Sequence, residues 1–128
     1  MKILFLDLNE LVESMDSHNI ILKDNVFNYI KLNQFTDIYI VHHNDIFNKS
    51  IDETLYDEKI NYICRYLELS TSCKVQCQYC PYEGTNATLI QSILNSLENS
   101  ICYLLGSTIE DINISERFNI KYIDSKIL

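Results

Sequence analysis

Polar side chains that suit catalysis or metal binding follow three separate apolar runs of the chain. In chain order they are Asp7 and Asn9, then His42 and His43, then the segment 107–111, which ends with Asp111. Each apolar run is typical of a buried strand, and in parallel sheets ligands bind beyond the carboxyl ends of the strands. We therefore expect the functional site where these three polar segments meet.

The acidic side chains of these segments suit a hard cation and an attack on phosphorus. Mg²⁺ binds few carboxylates, keeps several waters and takes phosphate oxygens as its remaining ligands. Asp7 could hold this ion together with Asp111, and its carboxylate could also act as a nucleophile that forms an aspartyl-phosphate. Two structural alternatives stay open: Asp7 as a turn residue or helix cap, and Thr108 with Asp111 as a capping box.

Two adjacent histidines, His42 and His43, follow the second apolar run. Histidine exchanges protons near neutral pH and ligates metals through its ring nitrogens. These residues could therefore contact phosphate, bind a metal or carry a proton at the site. The alternative is that both are partly exposed loop residues without a chemical role.

Four of the five cysteines, Cys64, Cys73, Cys77 and Cys80, lie within 17 positions of the chain. Four thiolates can form a closed tetrahedral Zn²⁺ site, which would order a segment that lacks its own core. Reduced, partly buried thiols are the alternative, and Cys102, inside an apolar run, is predicted to be such a packed thiol.

The last three cysteines of this cluster, with Tyr79, also resemble the iron–sulfur motif of radical S-adenosylmethionine enzymes. That resemblance implies a cluster with one iron free for the cofactor. In those enzymes the motif lies near the start of a much larger barrel, whereas here it lies beyond the midpoint of the chain.

The hydrophobic pattern predicts strands that alternate with amphipathic helices. Strands are expected at 2–6, 37–41, 101–105 and 120–123, and helices at 24–34, 45–59, 85–97 and 108–117. Residues 64–84 have no clear period and contain the only proline, so we expect a structured loop that holds the cysteine cluster. Continuous apolar strands between such helices favour a parallel sheet covered on both faces.

The length and charge of the chain limit the classes of function. With 128 residues, it is expected to form a single domain that spans 1–128. Its 18 acidic residues outnumber its 10 basic ones, which argues against binding to nucleic acid or to an anionic membrane. Since no apolar run has the length of a membrane span or signal-peptide core, the expected location is the cytoplasm. The two glycines are too few for a P-loop or a dinucleotide-binding loop.

Two segments resemble the signature of haloacid dehalogenase (HAD) superfamily phosphatases. The first is the opening strand with Asp7-Leu8-Asn9, and the second is 103–112 followed by 119–123. That family opens with a strand and Asp-x-Asp, and it closes with Gly-Asp-x-x-x-Asp, a short helix and another strand. The resemblance covers nearly the whole chain in order and spacing. It implies a Rossmann-like α/β three-layer sandwich with a parallel sheet, no cap domain and a cysteine-rich insertion at 64–84.

The resemblance also implies roles for individual residues. Asp7 matches the nucleophile, which also ligates Mg²⁺, and Asp111 matches the remaining acidic ligand. Asn9 would add its backbone oxygen to the Mg²⁺ site, and His42 falls near the residue that contacts phosphate. Catalysis would then involve Asp7, Asn9 and His42, with Mg²⁺ as the cofactor.

Three departures from the family pattern bear on activity. Asn9 stands where the family has its general acid/base, and such proton transfer is worth roughly 10²–10⁴-fold in rate. Ser107 replaces one acidic metal ligand. The family's lysine before the third helix has no clear counterpart at 81–84, and Lys74 could replace it only if the loop folds back.

The cysteine cluster resembles the zinc loop of the histidinol-phosphate and heptose-bisphosphate phosphatase branch of the same family. That loop also precedes the third helix, although its ligands mix Cys and His. The junction Cys80-Pro81 resembles the end of that loop, but the basic residues found there are missing. The resemblance implies a structural Zn²⁺ on the four clustered cysteines.

Together these features predict a weak Mg²⁺-dependent phosphomonoesterase that acts on a small soluble phosphorylated metabolite. The alternative is an inactive relative that binds an unidentified protein partner through its sheet and cysteine-rich loop. The retained Asp7 and Asp111 favour the enzyme, whereas the lost acid/base, acidic ligand and lysine favour the binding module.

Overall fold

The computed structural model describes residues 1–16, 18–43, 53–80 and 85–128. The strands are β1 (Lys2–Asp7), β2 (Val12–Met15), β3 (Ile20–Leu22), β4 (Asp37–His43), β5 (Lys74–Cys80), β6 (Ile101–Gly106) and β7 (Lys121–Asp124). The helices are α1 (Leu8–Leu11), α2 (Asp24–Leu32), α3 (Glu53–Thr71), α4 (Ala87–Leu94) and α5 (Ile109–Arg117), and a final 3₁₀ turn covers Ser125–Ile127.

A parallel five-stranded sheet with the order β5-β4-β1-β6-β7 forms the centre of the fold. The central strand β1 is buried on both faces because its side chains alternate between two apolar clusters. Leu4 and Leu6 pack with the inner faces of α2 and α3, whereas Ile3 and Phe5 pack with α4 and α5. The predicted α/β three-layer sandwich with a parallel sheet is therefore confirmed.

Helix α3 differs from the sequence prediction in both its position and its length. Its buried residues are Tyr56, Ile60, Ile63 and Leu67, whose spacing places them on one face of a helix. The expected loop at 64–84 is therefore wrong for residues 64–71, which continue the helix. Residues 45–52 of the predicted helix and residues 81–84 of the predicted loop lie outside the described residues.

Strand β5 occupies residues 74–80 of the predicted loop and pairs with β4 at one edge of the sheet. Cys73 and Val75 are buried and Cys77 packs against the same cluster, while Lys74 and Gln78 are exposed. This alternation is typical of a strand with one covered face. The sequence prediction missed it because the cysteines were interpreted as metal ligands rather than as apolar residues.

A short antiparallel hairpin of β2 and β3, which the sequence pattern did not reveal, follows α1. Its turn is stabilised by Asp16, whose Oδ1 accepts hydrogen bonds from the backbone N–H groups of His18 and Asn19, both at 2.8 Å. These bonds lower the pKa of the Asp16 carboxyl. None of the helices in the described ranges is long and apolar enough to cross a membrane.

The packing of α3 predicts a large difference between two leucines on the same helix. Leu67 is fully buried and Leu69 is 88% exposed. Leu67→Ala should lower the free energy of unfolding by about 2–5 kcal/mol, since it leaves a cavity in the core. The matched control Leu69→Ala should change it by less than about 0.5 kcal/mol. Urea denaturation measures both values, and equal losses would contradict this packing of α3.

Candidate functional site

The carboxyl edge of the sheet places the first and last predicted motifs next to each other. From β1 the chain moves to β4 and β5 on one side, and it then returns to β6 and β7 on the other. The connections therefore change direction around β1, which is where open α/β sheets bind ligands. Asp7 ends β1, and Gly106 ends the neighbouring β6.

The carboxylate of Asp7 accepts three hydrogen bonds from residues that the structure describes. Its Oδ1 accepts from the backbone N–H of Asn9 at 2.8 Å and from Nδ1 of His42 at 3.1 Å. Its Oδ2 accepts from the amide Nδ2 of Asn86 at 2.5 Å. All three donors are held by different elements, so the orientation of this carboxylate is fixed by the tertiary structure.

The alternative structural role of Asp7 is also observed, since its side chain caps the short helix α1 through the bond from Asn9. His42 is fully buried and contacts Asp7, which differs from the partly exposed loop residue considered as its alternative. Only the backbone of His43 is described, as the last residue of β4.

Asp111 caps the N-terminus of α5 in the capping box that the sequence offered as its alternative role. Its Oδ2 accepts from the backbone N–H groups of Ser107 and Thr108 at 3.1 and 3.2 Å, and its own N–H donates to Thr108 Oγ1. Gly106 makes room for this arrangement because a Cβ at that position would collide with the Asp111 carboxylate. The Mg²⁺ role of Asp111 stays a prediction.

Glu10 is a buried acid at the same edge that sequence reasoning did not select. Its carboxylate accepts from the hydroxyl of Ser107 at 2.5 Å and from that of Ser125 at 2.8 Å. It thereby connects the segment after β1 to the ends of β6 and β7. The available signal in the sequence was an acid between two leucines, Leu8 and Leu11. Both leucines are fully buried in the structure.

Asn86 is the second residue at this edge that sequence reasoning did not select. It precedes α4, yet its side chain makes no capping hydrogen bond and donates to Asp7 instead. Its Oδ1 and that of Asn9 are both buried, and neither has a hydrogen-bond partner among the described residues. The side chain that contacts Asp7 from the start of this helix is thus a neutral amide.

A cavity of about 190 Å³ lies at this edge of the sheet. It brings together the predicted residues Asp7, Asn9 and Asp111, and its remaining lining comprises Glu10, Asn86, Thr108, Glu110 and Ile114. Four of the lining side chains are acids, and none of the described lining residues is Lys or Arg. A larger groove of about 1060 Å³ between α3 and β5 contains none of these residues.

The described cysteines have packing roles, and the structure gives the predicted Zn²⁺ site no support. Cys73 is buried and its Sγ donates to the carbonyl oxygen of Phe35 at 2.9 Å. Cys64 lies on α3, where burial, with a smaller contribution from Glu68, raises the pKa of its thiol to about 11. Within the described ranges, no three His, Cys, Asp or Glu side chains are grouped closely enough to hold a metal ion. The side chain of Cys80 lies outside this description.

The contact between Gly106 and Asp111 can be tested by stability measurements. Gly106→Ala should lower the free energy of unfolding by about 1–2 kcal/mol, because the new Cβ displaces the carboxylate that caps α5. In an Asp111→Ala background the same change should cost much less, since the colliding group is gone. Equal losses in both backgrounds, measured by urea denaturation, would show that the collision is not the cause.

Comparisons with known proteins support the fold. No protein-family model matches the chain, and no curated protein sequence matches it either. Among solved structures, it is similar to the crystal structure of D,D-heptose 1,7-bisphosphate phosphatase from Burkholderia thailandensis, with a TM-score of 0.64 and 8% sequence identity. The match covers 94% of this chain and 75% of that one. At this identity the likeness concerns the fold alone, and the chain therefore has a HAD-like fold.

Proposed function

We propose that this protein is a HAD-like phosphohydrolase that slowly cleaves a small phosphomonoester with the help of Mg²⁺. The observation that carries the proposal is the position of Asp7 at the carboxyl end of the central strand, facing a cavity of about 190 Å³. The similarity to a solved heptose bisphosphate phosphatase supports the HAD-like fold on which this proposal is built. The small cavity favours a small substrate.

The oxygen atoms at this edge suit Mg²⁺, which prefers carboxylate and carbonyl ligands. Asp7 and Asn9 would hold the ion, because the Oδ1 of Asn9 is buried without a partner among the described residues. The carboxylates of Glu10 and Asp111, like that of Asp7, already accept hydrogen bonds, so the ion would retain most of its waters. When bound, the ion would offset the negative charge of the phosphate.

In the proposed reaction the Asp7 carboxylate attacks phosphorus while the ester P–O bond breaks. The phosphoryl group is then attached to Asp7, and the leaving alkoxide takes a proton from water because Asn9 cannot supply one. A water next attacks phosphorus, which releases inorganic phosphate and restores the carboxylate. The hydrogen bonds from His42 and Asn86 orient Asp7 throughout.

The lack of a proton donor at residue 9 is the reason for slow turnover. General acid–base catalysis contributes roughly 10²–10⁴-fold, and the amide of Asn9 cannot provide it. The neutral Asn86 next to Asp7 also adds no positive charge to stabilise the transition state.

Asp7→Asn should abolish Mg²⁺-dependent release of phosphate from p-nitrophenyl phosphate, because an amide cannot form the acyl-phosphate. The matched control is Asp37→Asn, which changes the same residue type at the opposite end of the neighbouring strand β4. Steady-state release of p-nitrophenol measures both. Wild-type turnover that survives Asp7→Asn would exclude Asp7 as the nucleophile.

Asn9→Asp should raise the rate by about 10²–10⁴-fold for an alkyl phosphate, whose alkoxide needs a proton as it leaves. The gain should be smaller for p-nitrophenyl phosphate, since p-nitrophenolate is a stable leaving group. Asn28→Asp, on the exposed face of α2, adds the same charge away from the site and should change neither rate. Equal gains for both substrates would contradict a role in proton transfer.

A second candidate function is a non-catalytic binding module. It is favoured by the engagement of Asp111 in helix capping and by the absence of Lys and Arg from the described lining of the cavity. No turnover by either the wild type or the Asn9→Asp variant would support this candidate over the phosphohydrolase.

A further inference from the structure

Helix α3 presents large hydrophobic side chains to solvent on its outer face. A stripe along this face consists of Glu58, Tyr62, Arg65 and Leu69, at spacings of four, three and four residues, which places them on one side of the helix. Tyr62 is 61% exposed and Leu69 is 88% exposed. The stripe extends over three turns of the helix, or about 16 Å.

The exposed hydrophobic surface continues from this stripe onto the neighbouring elements. Tyr66 stacks on Tyr62, with ring centroids 6.4 Å apart, and on Phe27 of α2, with centroids 5.5 Å apart. These rings border a groove of about 550 Å³ that also contains Ile21 of β3, which is 48% exposed. Single exposed hydrophobic residues are ordinary, whereas a contiguous surface of this kind marks an interaction site.

The charges on the stripe indicate what this surface binds. Glu58 lies four residues before Tyr62 and Arg65 lies three residues after it, so opposite charges flank the ring at nearly equal distances. Within the described part of the chain, neither charged side chain forms an ion pair. When two such helices meet antiparallel around a twofold axis beside Tyr62, Glu58 of each copy lies opposite Arg65 of the other. The stripe is therefore complementary to itself.

The net charge of the chain explains why a contact between copies needs this pattern. Each copy carries a formal charge of −8, so two copies repel each other unless opposite charges meet locally. The stripe supplies two such meetings, one on each side of the exposed tyrosines. Contact through a uniformly acidic surface would instead add repulsion.

We propose that this protein forms a reversible homodimer in which the outer faces of two α3 helices pack antiparallel, with Tyr62 at the twofold axis. Two ion pairs between Glu58 and Arg65 set the register of the helices. A single helix pair buries less area than a standard interface, so the Kd is expected to be on the order of 10 μM. Neither Tyr62 nor the charged pair lines the cavity that contains Asp7, so this inference does not depend on the proposed phosphohydrolase function.

Reversal of single charges tests the proposed register. Glu58→Arg and Arg65→Glu each place like charges opposite one another at both pairs, so each variant should dimerise about 100-fold more weakly than the wild type. In an equimolar mixture of the two variants, opposite charges meet again at both pairs, and heterodimers should form with nearly wild-type affinity. Sedimentation equilibrium over a range of protein concentrations measures these affinities.

The two variants also separate local pairing from net charge. Glu58→Arg makes the protein less acidic and Arg65→Glu makes it more acidic, so net charge alone would strengthen the first dimer and weaken the second. Local pairing weakens both. The matched control Glu98→Arg makes the same charge change at an exposed residue outside α3, and it should not weaken the dimer.

Three outcomes would overturn the inference. A wild type that stays monomeric well above the expected Kd would leave this surface to a different partner. A dimer that persists in both charge variants would be formed by another face. A mixture of the two variants that fails to associate would show that Glu58 and Arg65 do not face each other.

Discussion

Burial of the central strand on both faces is the constraint from which the other features of this protein follow. Because β1 has apolar side chains on both sides, helices must cover each face of the sheet. The strand ends at Asp7, which lines the cavity. A strand buried on both faces thereby carries the candidate nucleophile, which suits a residue that must be oriented precisely.

At the carboxyl edge of the sheet, the described carboxylates outnumber the described positively charged side chains. Asp7, Glu10 and Asp111 all lie there, and their described partners include side-chain amides, hydroxyls and backbone N–H groups. Neutral donors orient a carboxylate without cancelling its charge. An anionic substrate would therefore need a cation at this edge, which is why the proposed activity depends on Mg²⁺.

The departures from the HAD phosphatase pattern are chemically related to one another. Asn9 stands where the family resemblance implies an acid, and Asn86 contacts Asp7 through a neutral amide. Neither side chain therefore adds an acid or a positive charge next to Asp7. Such a site can still orient Asp7, but it stabilises charge less effectively than the family pattern. Slow turnover by Asp7 therefore remains our proposal, and a non-catalytic binding module remains the alternative.

The sequence by itself determined the layered α/β fold and the position of Asp7, because burial periodicity and the end of an apolar strand are local properties. It did not reveal β5, since cysteines serve equally as ligands and as apolar residues, and only packing against α3 distinguishes the two. Glu10 and Asn86 depended on the tertiary structure for a related reason. Their partners, Ser125 and Asp7, lie 115 and 79 residues away, and no local pattern encodes contacts at such separations.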